Sequence, residues 1–521
     1  MKEPTHTKIF ILLVSIACIV PSCTDTSAKV YDQVVNFWQN PDQIAAGVAP
    51  AYTGLRNFGP GFFNGPYELN ELTTDEIIVP NRITDWGDDA TWEHLWKHTW
   101  DPSTNIIEAA WQTIYSGIAR INSIIEVVGS ISPKPDHQAA ILAELKTVRA
   151  YYYFQAMDLF GNVPIVENNH VPLSSLVNKS RIEVFNYVEN ELKANFTDLT
   201  DEVSPNTYGR TTKWFTKALL AKLYLNAEVY TGTARWADCL AECDSILASN
   251  NYSLENNFFD NFKIENQNST EFIFAIPYDF KAGMGDFAIQ LLTLHYNSGF
   301  TFGLQNGGAN GYCSTQDYLN NFDPKDIRRK MFLVGQQYTG STQYVDPVPD
   351  SSRRQYDNLG NLLIFDPDFT TFEIQQPKTQ GAGARCAKWE FNKDTWGDMS
   401  NDLAVFRLAD IILMKAEAQY RLGNSSEALQ TINNQYGSVS IRSRANMPDF
   451  TSAELNADGI LAERARELSW EGWRRNDMIR LGHYTDARVP EKAKSENFRK
   501  LFPIPQNEMH KNQYLTQNPG Y

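Results

Sequence analysis

The sequence is poor in cysteine, with 6 in 521 residues. A disulfide scaffold of this size would need many more, so the fold must be stabilised by packing. Aromatic residues are plentiful, with 12 Trp, 24 Tyr and 29 Phe, and they supply enough apolar surface for one or two large cores. Cys239 and Cys243 are one helical turn apart, a spacing typical of two small buried residues rather than a disulfide or a metal pair.

Positive charge is also scarce. The chain has 46 Lys and Arg against 62 Asp and Glu, which gives a formal net charge of -16 at pH 7. Beyond the first few residues, no basic run is long enough to neutralise a phosphate backbone. We therefore expect no nucleic-acid partner.

Long hydrophobic runs are missing, except for one short run near the N-terminus. The run Ile9–Val20 follows Lys2 and Lys8, and at roughly 12 residues it is too short to span a bilayer but suits the apolar part of a secretory signal. The four residues VPSC that end at Cys23 are similar to the cleavage box of a bacterial lipoprotein. We predict a signal peptide over residues 1–22 and a lipid on Cys23.

Two alternatives to this anchor stay open. Cleavage before Cys18 is disfavoured, because it would leave the apolar Ile19 and Val20 exposed after processing. Plain secretion without a lipid is the other alternative.

Helical periodicity marks several segments before residue 250 and one pair after residue 400. The predicted helices alternate with short breaks, as in a row of helical hairpins. They are a seam from Ile107 to Ile125, then Leu142–Phe160, Ile182–Phe196 after a capping box at Ser180 and Glu183, Lys213–Tyr230 and Trp236–Leu247.

The stretch from Leu403 to Gly482 contains the clearest helical pair. Apolar residues recur every three or four positions from Leu408 until Gly423, and Asn424 is predicted to cap the next helix in a box with Glu427. Small residues fall where a tetratricopeptide repeat keeps its close packing and its turn. One such unit cannot bury its own apolar face, so it requires neighbours.

The residues between the helical segments have a different character. Over 251–400, Asn, Gly, Asp, Tyr and Phe dominate, and strand-like runs are short; 57–100 is similar. So much irregular chain favours a binding surface. We predict a mostly α fold, a tetratricopeptide-like scaffold of about four helix pairs with a loop-rich lobe containing short strands. We predict that the mature chain has three regions. Residues 23–250 contain three helix pairs, residues 251–400 form the ligand-binding lobe together with the segment 57–100, and residues 401–521 contain the last helix pair.

Several motifs together resemble the SusD/RagB family of outer-membrane lipoproteins, and their order and spacing cover nearly the whole chain. Any one of them is weak alone. They are Leu72–Glu76, Asp85-Trp86, His98–Trp100, Arg149–Pro164, Arg407–Ala418, Glu463–Arg480, Leu501–Pro505 and Gln517–Tyr521.

The resemblance implies a binding function without catalysis. Members of this family look like cell-surface glycan-binding proteins that sit on a SusC-like TonB-dependent transporter and capture oligosaccharides for import. It thus implies an oligosaccharide or polysaccharide ligand, a transporter partner, an outer-membrane location through the lipid anchor, no enzyme activity and no cofactor.

A sugar site needs exposed aromatic faces beside side chains that pair with hydroxyl groups. Trp86 sits in a turn flanked by carboxylates, where a Trp is awkward to bury, and related proteins often place such a Trp at their glycan platform. We predict that Trp86 contacts the glycan and that Asp85 accepts hydrogen bonds from its hydroxyls.

Two further segments are candidates for the same site. Tyr312 and Cys313 follow a glycine-rich run that would let a ligand approach the backbone closely. Arg385 carries a guanidinium fork suited to hydroxyls or an acidic sugar. Loop packing and an ion pair to the scaffold are the competing interpretations, and we hypothesise that the three segments meet in space.

Other charged groups are interpreted as structural. His94 and His98 lack the third ligand of a metal site, and we predict no metal. The charges between Arg464 and Arg480 are interpreted as an ion-pair network along one helix rather than as a catalytic set.

Three other functions stay open. One branch of the same family binds oligopeptides instead of glycans. A secreted glycoside hydrolase would need two carboxylates at a hydrolytic spacing, and nothing in the sequence marks such a pair. A pure protein-interaction scaffold would bind no small ligand.

Overall fold

The computed structural model describes residues 41–521 apart from 62, 83, 84, 133, 136 and 286. The predicted signal peptide and the lipidation site at Cys23 lie outside the described residues. Within residues 41–521 and those gaps, no helix combines the length and apolar character that a membrane span requires.

Helices dominate the described chain. In chain order they are α1 Pro41–Thr53, α2 Pro66–Glu71, α3 Thr91–Lys97, α4 Asn105–Ser130, α5 Gln138–Phe160, α6 Arg181–Asn195, α7 Lys213–Leu225, α8 Ala227–Thr231, α9 Trp236–Ala248, α10 Ile289–Thr293, α11 Ser298–Phe302, α12 Gln316–Leu319, α13 Leu408–Arg421, α14 Ser425–Asn433, α15 Ile441–Arg444, α16 Ala457–Leu468, α17 Arg474–Leu481 and α18 Gln506–Lys511.

The long helices pack as a continuous array. Helix α4 packs on α5, α5 on α6, α7 on α9, α9 on α13, and α13 on α14. The capping box predicted at the start of α6 is confirmed, because the Glu183 carboxylate accepts from the Ser180 backbone N–H at 2.8 Å while the Ser180 hydroxyl caps the Glu183 N–H. The predicted helix over Lys213–Tyr230 is interrupted at Asn226, which separates α7 from α8.

In the last helix pair, α13 and α14, the start of α13 and the turn after it are where the sequence predicts them, but the N-terminal cap of α14 differs from the prediction. Helix α13 starts at Leu408, and Gly423 adopts the left-handed φ of +85° that ends it, as glycine does most readily. The predicted capping box at Asn424 is wrong, because the Asn424 side chain makes no cap hydrogen bond.

Strands are short and belong mostly to the irregular part of the chain. They are β1 Phe272–Ile276, β2 Phe332–Leu333, β3 Gly335–Gln336, β4 Ile364–Phe365, β5 Arg385–Cys386 and β6 Leu403–Arg407, and they form the antiparallel pairs β1–β6, β2–β5 and β3–β4. The pair β1–β6 closes the long loop-rich segment, since β6 runs directly into α13. The predicted mostly α scaffold with a loop-rich lobe is confirmed.

One continuous hydrophobic core runs through the scaffold and the loop-rich part. Trp473 shows the connection: its ring lies 5.5 Å from that of Phe406 in β6 and 6.3 Å from that of Phe154 in α5. Trp389, in the loop-rich part, packs in the same core. The lobe and the helices are therefore joined by apolar packing.

Charged residues near the last helices form a buried ion-pair network, as predicted. Glu467 accepts from Arg328 at 2.9 Å, Arg407 at 2.7 Å and Arg444 at 2.5 Å. The prediction that these charges share one helix is wrong, because α16 ends at Leu468 and α17 starts at Arg474. The break lets residues on two helices surround the same buried groups.

Candidate functional site

Trp86 lies in a loop with an unusual backbone. Its φ is +60°, and Asp88, Asp89 and Ala90 have φ values of 35°, 50° and 62°. Residues with a β-carbon adopt this left-handed region rarely, and each pays a conformational cost there. Strain that surrounding structure must maintain is found most often at functional sites.

The loop fixes the Trp86 indole in one orientation. The ring N–H donates to the Ala309 carbonyl at 2.7 Å, and the Trp86 backbone N–H donates to Asp85 Oδ1 at 3.1 Å. A β-carbon at Gly311 would lie 2.4 Å from the indole ring. The glycine therefore allows the ring to rest directly on the backbone of the neighbouring segment.

Trp86 belongs to a cluster of four aromatic rings. It lies 5.7 Å from Trp92 and 6.3 Å from Tyr312, and Trp92 lies 5.3 Å from Phe63. Trp92 and Tyr312 are buried, Trp86 is half-buried, and Phe63 is 43% exposed. Two partly exposed rings thus rest on a buried aromatic base, and we call these four residues the aromatic platform.

Below the platform, two buried arginines, Arg82 and Arg385, donate mainly to backbone carbonyls of the loops. Arg82 donates to the carbonyls of Thr379 at 2.9 Å and Ala382 at 3.0 Å, and it approaches the carbonyl of Gly311 at 3.5 Å. Its pKa is lowered by burial. A fork that bonds several carbonyls fixes the relative positions of three loop segments.

Arg385 performs the same role beside it. Its guanidinium donates to the Ala382 carbonyl at 2.7 Å, to Asn310 Oδ1 at 2.8 Å and to the Gln380 carbonyl at 3.1 Å, and it lies over the Phe365 ring. Burial, and then the charge of Arg82, lower the pKa of Arg385 to about 9. Among the described residues, no carboxylate forms an ion pair with it.

Tyr312 and Cys313 connect this layer to the rest of the site. Cys313 pairs with Ile78 through backbone hydrogen bonds of 2.8 and 2.9 Å, and its side chain is buried. The Tyr312 hydroxyl reaches Glu68 at 3.5 Å. Burial raises the pKa of Glu68 to about 7.

The structure brings the three candidate segments together. Trp86 and Asp85 are partly exposed, whereas Tyr312, Cys313 and Arg385 are buried. A ligand can reach the first two directly, and the buried three lie beneath them. Glycan contact by all five residues stays a prediction.

Sequence reasoning missed Phe63, Trp92 and Arg82. Phe63 stands in the glycine-rich stretch GPGFFNGP, and an aromatic residue in such a turn is the signal that pointed to Trp86. Trp92 opens a short helix whose pattern is indistinguishable from core packing. Arg82 has no local signal, because its partners are about 230 to 300 residues away along the chain.

Within the described residues, no three His, Cys, Asp or Glu side chains are grouped so as to hold a metal ion. His98 is buried and bonds to the Thr73 carbonyl at 2.7 Å and the Ser495 hydroxyl at 2.9 Å. Burial lowers its pKa well below the ordinary value. This histidine is thus part of the packing between the loops.

Two family models match the chain. The model described as "SusD family" matches residues 248–521, and the one described as "Starch-binding associating with outer membrane" matches residues 60–225. A SusD-like protein from Formosa agariphila is 24% identical over 98% of both chains. The starch-binding protein SusD of Bacteroides thetaiotaomicron is 25% identical over 91% of this chain and 88% of its own length.

A solved structure agrees with these matches. A laminarin-binding SusD-like protein superposes with a TM-score of 0.73 at 21% identity, covering 93% of this chain and 100% of that chain. At this identity the likeness shows the fold alone. The family match over residues 248–521 covers more than half of the sequence, and the chain therefore belongs to the SusD family.

Proposed function

We propose that this protein is a non-catalytic cell-surface lipoprotein that captures oligosaccharides on the aromatic platform and delivers them to a SusC-like TonB-dependent transporter. The observation that carries the proposal is the Trp86 ring, held at the surface by the Ala309 carbonyl and by the absence of a side chain at Gly311. A flat apolar face fixed beside Asp85 suits a sugar ring and its hydroxyls.

The comparisons support the choice of ligand. One matching family model is described as starch-binding and associated with the outer membrane, and relatives with the same fold bind starch or laminarin by their names. The buried residues Tyr312, Cys313 and Arg385 then act as supports that hold Trp86 and Asp85 in place.

Affinity electrophoresis tests glycan binding directly. Gels containing soluble starch, laminarin, xylan, mannan, pectin or alginate are run with wild type, Trp86→Ala and Trp86→Phe. We expect one polysaccharide to retard the wild type, Trp86→Ala to lose at least about tenfold in affinity, and the phenylalanine variant to retain part of it. If Trp86→Ala is retained as strongly as wild type, the platform is not the binding site.

The oligopeptide alternative is tested in the same experiment. A wild type that no polysaccharide retards, but that binds a peptide mixture in a Trp86-dependent manner, would favour the peptide-binding branch of the family. Incubation with the retained polysaccharide tests catalysis, because a hydrolase would generate new reducing ends. We expect none.

The anchor and the transporter are tested in cells. Labelled fatty acid should be incorporated into the wild type but not into Cys23→Ala, and the variant should leave the membrane fraction. A tagged wild type solubilised in detergent should co-purify with a TonB-dependent transporter. Recovery of the protein without any outer-membrane partner would contradict the delivery step.

A further inference from the structure

The tripeptide Trp-Gly-Asp occurs twice, at residues 86–88 and again at 396–398. The first copy carries Trp86 of the aromatic platform. The second lies in the loop that precedes β6.

The second loop is anchored at both ends. The Lys393 carbonyl accepts from the Gln305 N–H at 2.9 Å, and the Met399 N–H donates to the Phe287 carbonyl at 2.9 Å. Side chains along the loop alternate between inside and outside: Thr395 and Met399 are buried, and Trp396 between them is 74% exposed.

The buried residues on both sides of Trp396 therefore keep its side chain exposed to solvent. A Trp side chain is among the largest apolar groups in a protein, and leaving it exposed forgoes the favourable free energy of burying that surface. A glycine follows it and is buried, with a β-carbon position 2.5 Å from Leu291 Cδ2. The loop thus presents the indole instead of folding it into the core.

The two tryptophan loops are neighbours in space. Trp86 donates to the Ala309 carbonyl at 2.7 Å, and the Ala309 N–H donates to the Leu291 carbonyl at 2.6 Å. The Leu291 side chain in turn packs against Gly397, next to Trp396. Ala309 and Leu291 therefore link the two tryptophan loops. The partly exposed segment 306–309 lies between them.

Carboxylates outnumber cations beside both tryptophans, although Lys393 is exposed in the second loop and Arg56 lines the same pocket as Asp398. Asp85 and Asp88 flank Trp86, and Asp394 and Asp398 are exposed on either side of Trp396. The arginines of the site, Arg82 and Arg385, are buried below the loops. Carboxylates accept hydrogen bonds from sugar hydroxyls but repel uronic acids.

We propose that Trp396 is a second sugar-binding residue, so that the site extends from Trp86 to Trp396 and takes uncharged oligosaccharides long enough to contact both indoles. This inference rests on the proposed glycan-binding function and specifies the length and charge of the ligand.

The test compares variants across ligand length. Wild type, Trp396→Ala, Trp396→Phe and Trp86→Ala are titrated calorimetrically with a disaccharide and with successively longer oligosaccharides cut from the polysaccharide that retards the wild type. Tyr514→Ala is the matched control, because Tyr514 is an exposed aromatic residue and, among the described residues, no hydrogen bond or ring contact joins it to either loop. Circular dichroism checks the fold of each variant.

We expect Trp396→Ala to weaken the longer oligosaccharides by about tenfold and to leave the disaccharide unchanged. Trp396→Phe should retain most of the affinity, Trp86→Ala should weaken ligands of every length, and Tyr514→Ala should match wild type. Neutral polysaccharides should be retained more strongly than pectin or alginate.

The outcomes separate this inference from the proposed function. If wild type binds a glycan and Trp396→Ala binds the longer ligands equally well, the inference is wrong and the proposed function stands. Stronger retention by pectin or alginate than by neutral polysaccharides overturns the charge preference. If wild type binds no glycan, the proposed function and the inference are both wrong.

Discussion

At the scale of single residues, the position of the Trp86 indole depends on a missing side chain. A β-carbon at Gly311 would lie 2.4 Å from the ring, and at that distance the ring or the backbone has to shift. We expect Gly311→Ala to displace the indole from Ala309 and to weaken glycan binding by about tenfold while the protein still folds. Affinity electrophoresis and circular dichroism measure the two effects.

Gly129 is a suitable control for this substitution. It lies in α4, and a β-carbon there meets no atom within 4 Å. Gly129→Ala should bind glycan as wild type does and should gain slightly in stability, because alanine is the better helix former. If Gly311→Ala also binds as wild type does, the contact with Trp86 does not position the ring.

Glu68 gives the base of the platform a dependence on pH. Burial raises its pKa from 4.5 to about 7, so the folded state favours the neutral carboxyl group. The stability that this group contributes is complete below pH 4.5 and is lost as the pH rises through 7. We expect Glu68→Gln, which stays neutral, to be more stable than wild type at pH 8 by on the order of 1 to 3 kcal/mol.

Denaturant unfolding over a range of pH measures this difference, which should shrink to near zero at pH 4.5. Glu265→Gln, at an exposed position, is the control and should follow the wild-type profile. A Glu68→Gln variant whose advantage is the same at every pH would show that the carboxyl group does not titrate as proposed.

The contrast between Trp86 and Arg385 shows what the sequence reveals about single residues. A Trp in a turn of glycine and carboxylates is hard to bury, and Trp86 is indeed partly exposed. An Arg beside Cys and Lys is ordinarily expected near water or an acid, yet Arg385 is buried among backbone carbonyls. Those carbonyls come together only through the tertiary fold, so the local sequence does not predict its burial.

At the scale of elements, α16 is held to its neighbours by buried charges. Although burial raises the pKa of Glu467, the guanidinium groups of Arg444, Arg407 and Arg328 lower it far below its usual range. Removing this carboxylate would leave three buried cations short of a partner. We expect Glu467→Gln to lose about 3 to 5 kcal/mol of unfolding free energy near neutral pH, measured by chemical denaturation.

A partly exposed ion pair provides the comparison. Glu93 and Lys97 form a 2.6 Å pair on α3 with side chains 35% and 22% exposed, and such pairs contribute roughly 0 to 1 kcal/mol. Glu93→Gln should therefore change stability little. Equal losses for Glu467→Gln and Glu93→Gln would contradict a stabilising role for the buried network.

Periodicity predicted long helices such as α4, which presents an apolar face to its neighbours, whereas α5 is buried on all sides over Thr147–Phe160. It failed between α16 and α17, where Trp470 adopts a φ of +63° and Gly472 a φ of +87°. The stretch reads as one charged helix because its charges recur at helical spacing. The break is stabilised by distant partners, since the Trp470 N–H donates to Glu76 and the Tyr67 hydroxyl donates to the Trp470 carbonyl at 3.0 Å.

At the scale of the whole molecule, the loop-rich part and the helical array share their interior. Lys388, in the loop-rich part, is buried and donates to the Ser469 carbonyl at 2.6 Å and to Glu471 at 2.5 Å. Glu471 also accepts a hydrogen bond from the Arg407 guanidinium at 2.7 Å. Because β6, the last helices and the loops converge on these groups, buried polar contacts as well as the apolar core join the loop-rich part to the helical array.

We therefore expect the two parts to unfold together. Helix content followed by far-ultraviolet circular dichroism reports mainly on the array, whereas tryptophan fluorescence also reports on loop residues such as Trp389, which lies in the shared core. The two signals should give coincident midpoints and slopes in urea, as in a cooperative transition. Lys388→Met, which removes the buried bond to Glu471 but keeps an apolar chain of similar length, should lower both midpoints together. If fluorescence changes at a lower urea concentration than circular dichroism, or if only its midpoint shifts in Lys388→Met, the loop-rich part unfolds separately and the shared core does not couple it to the helices.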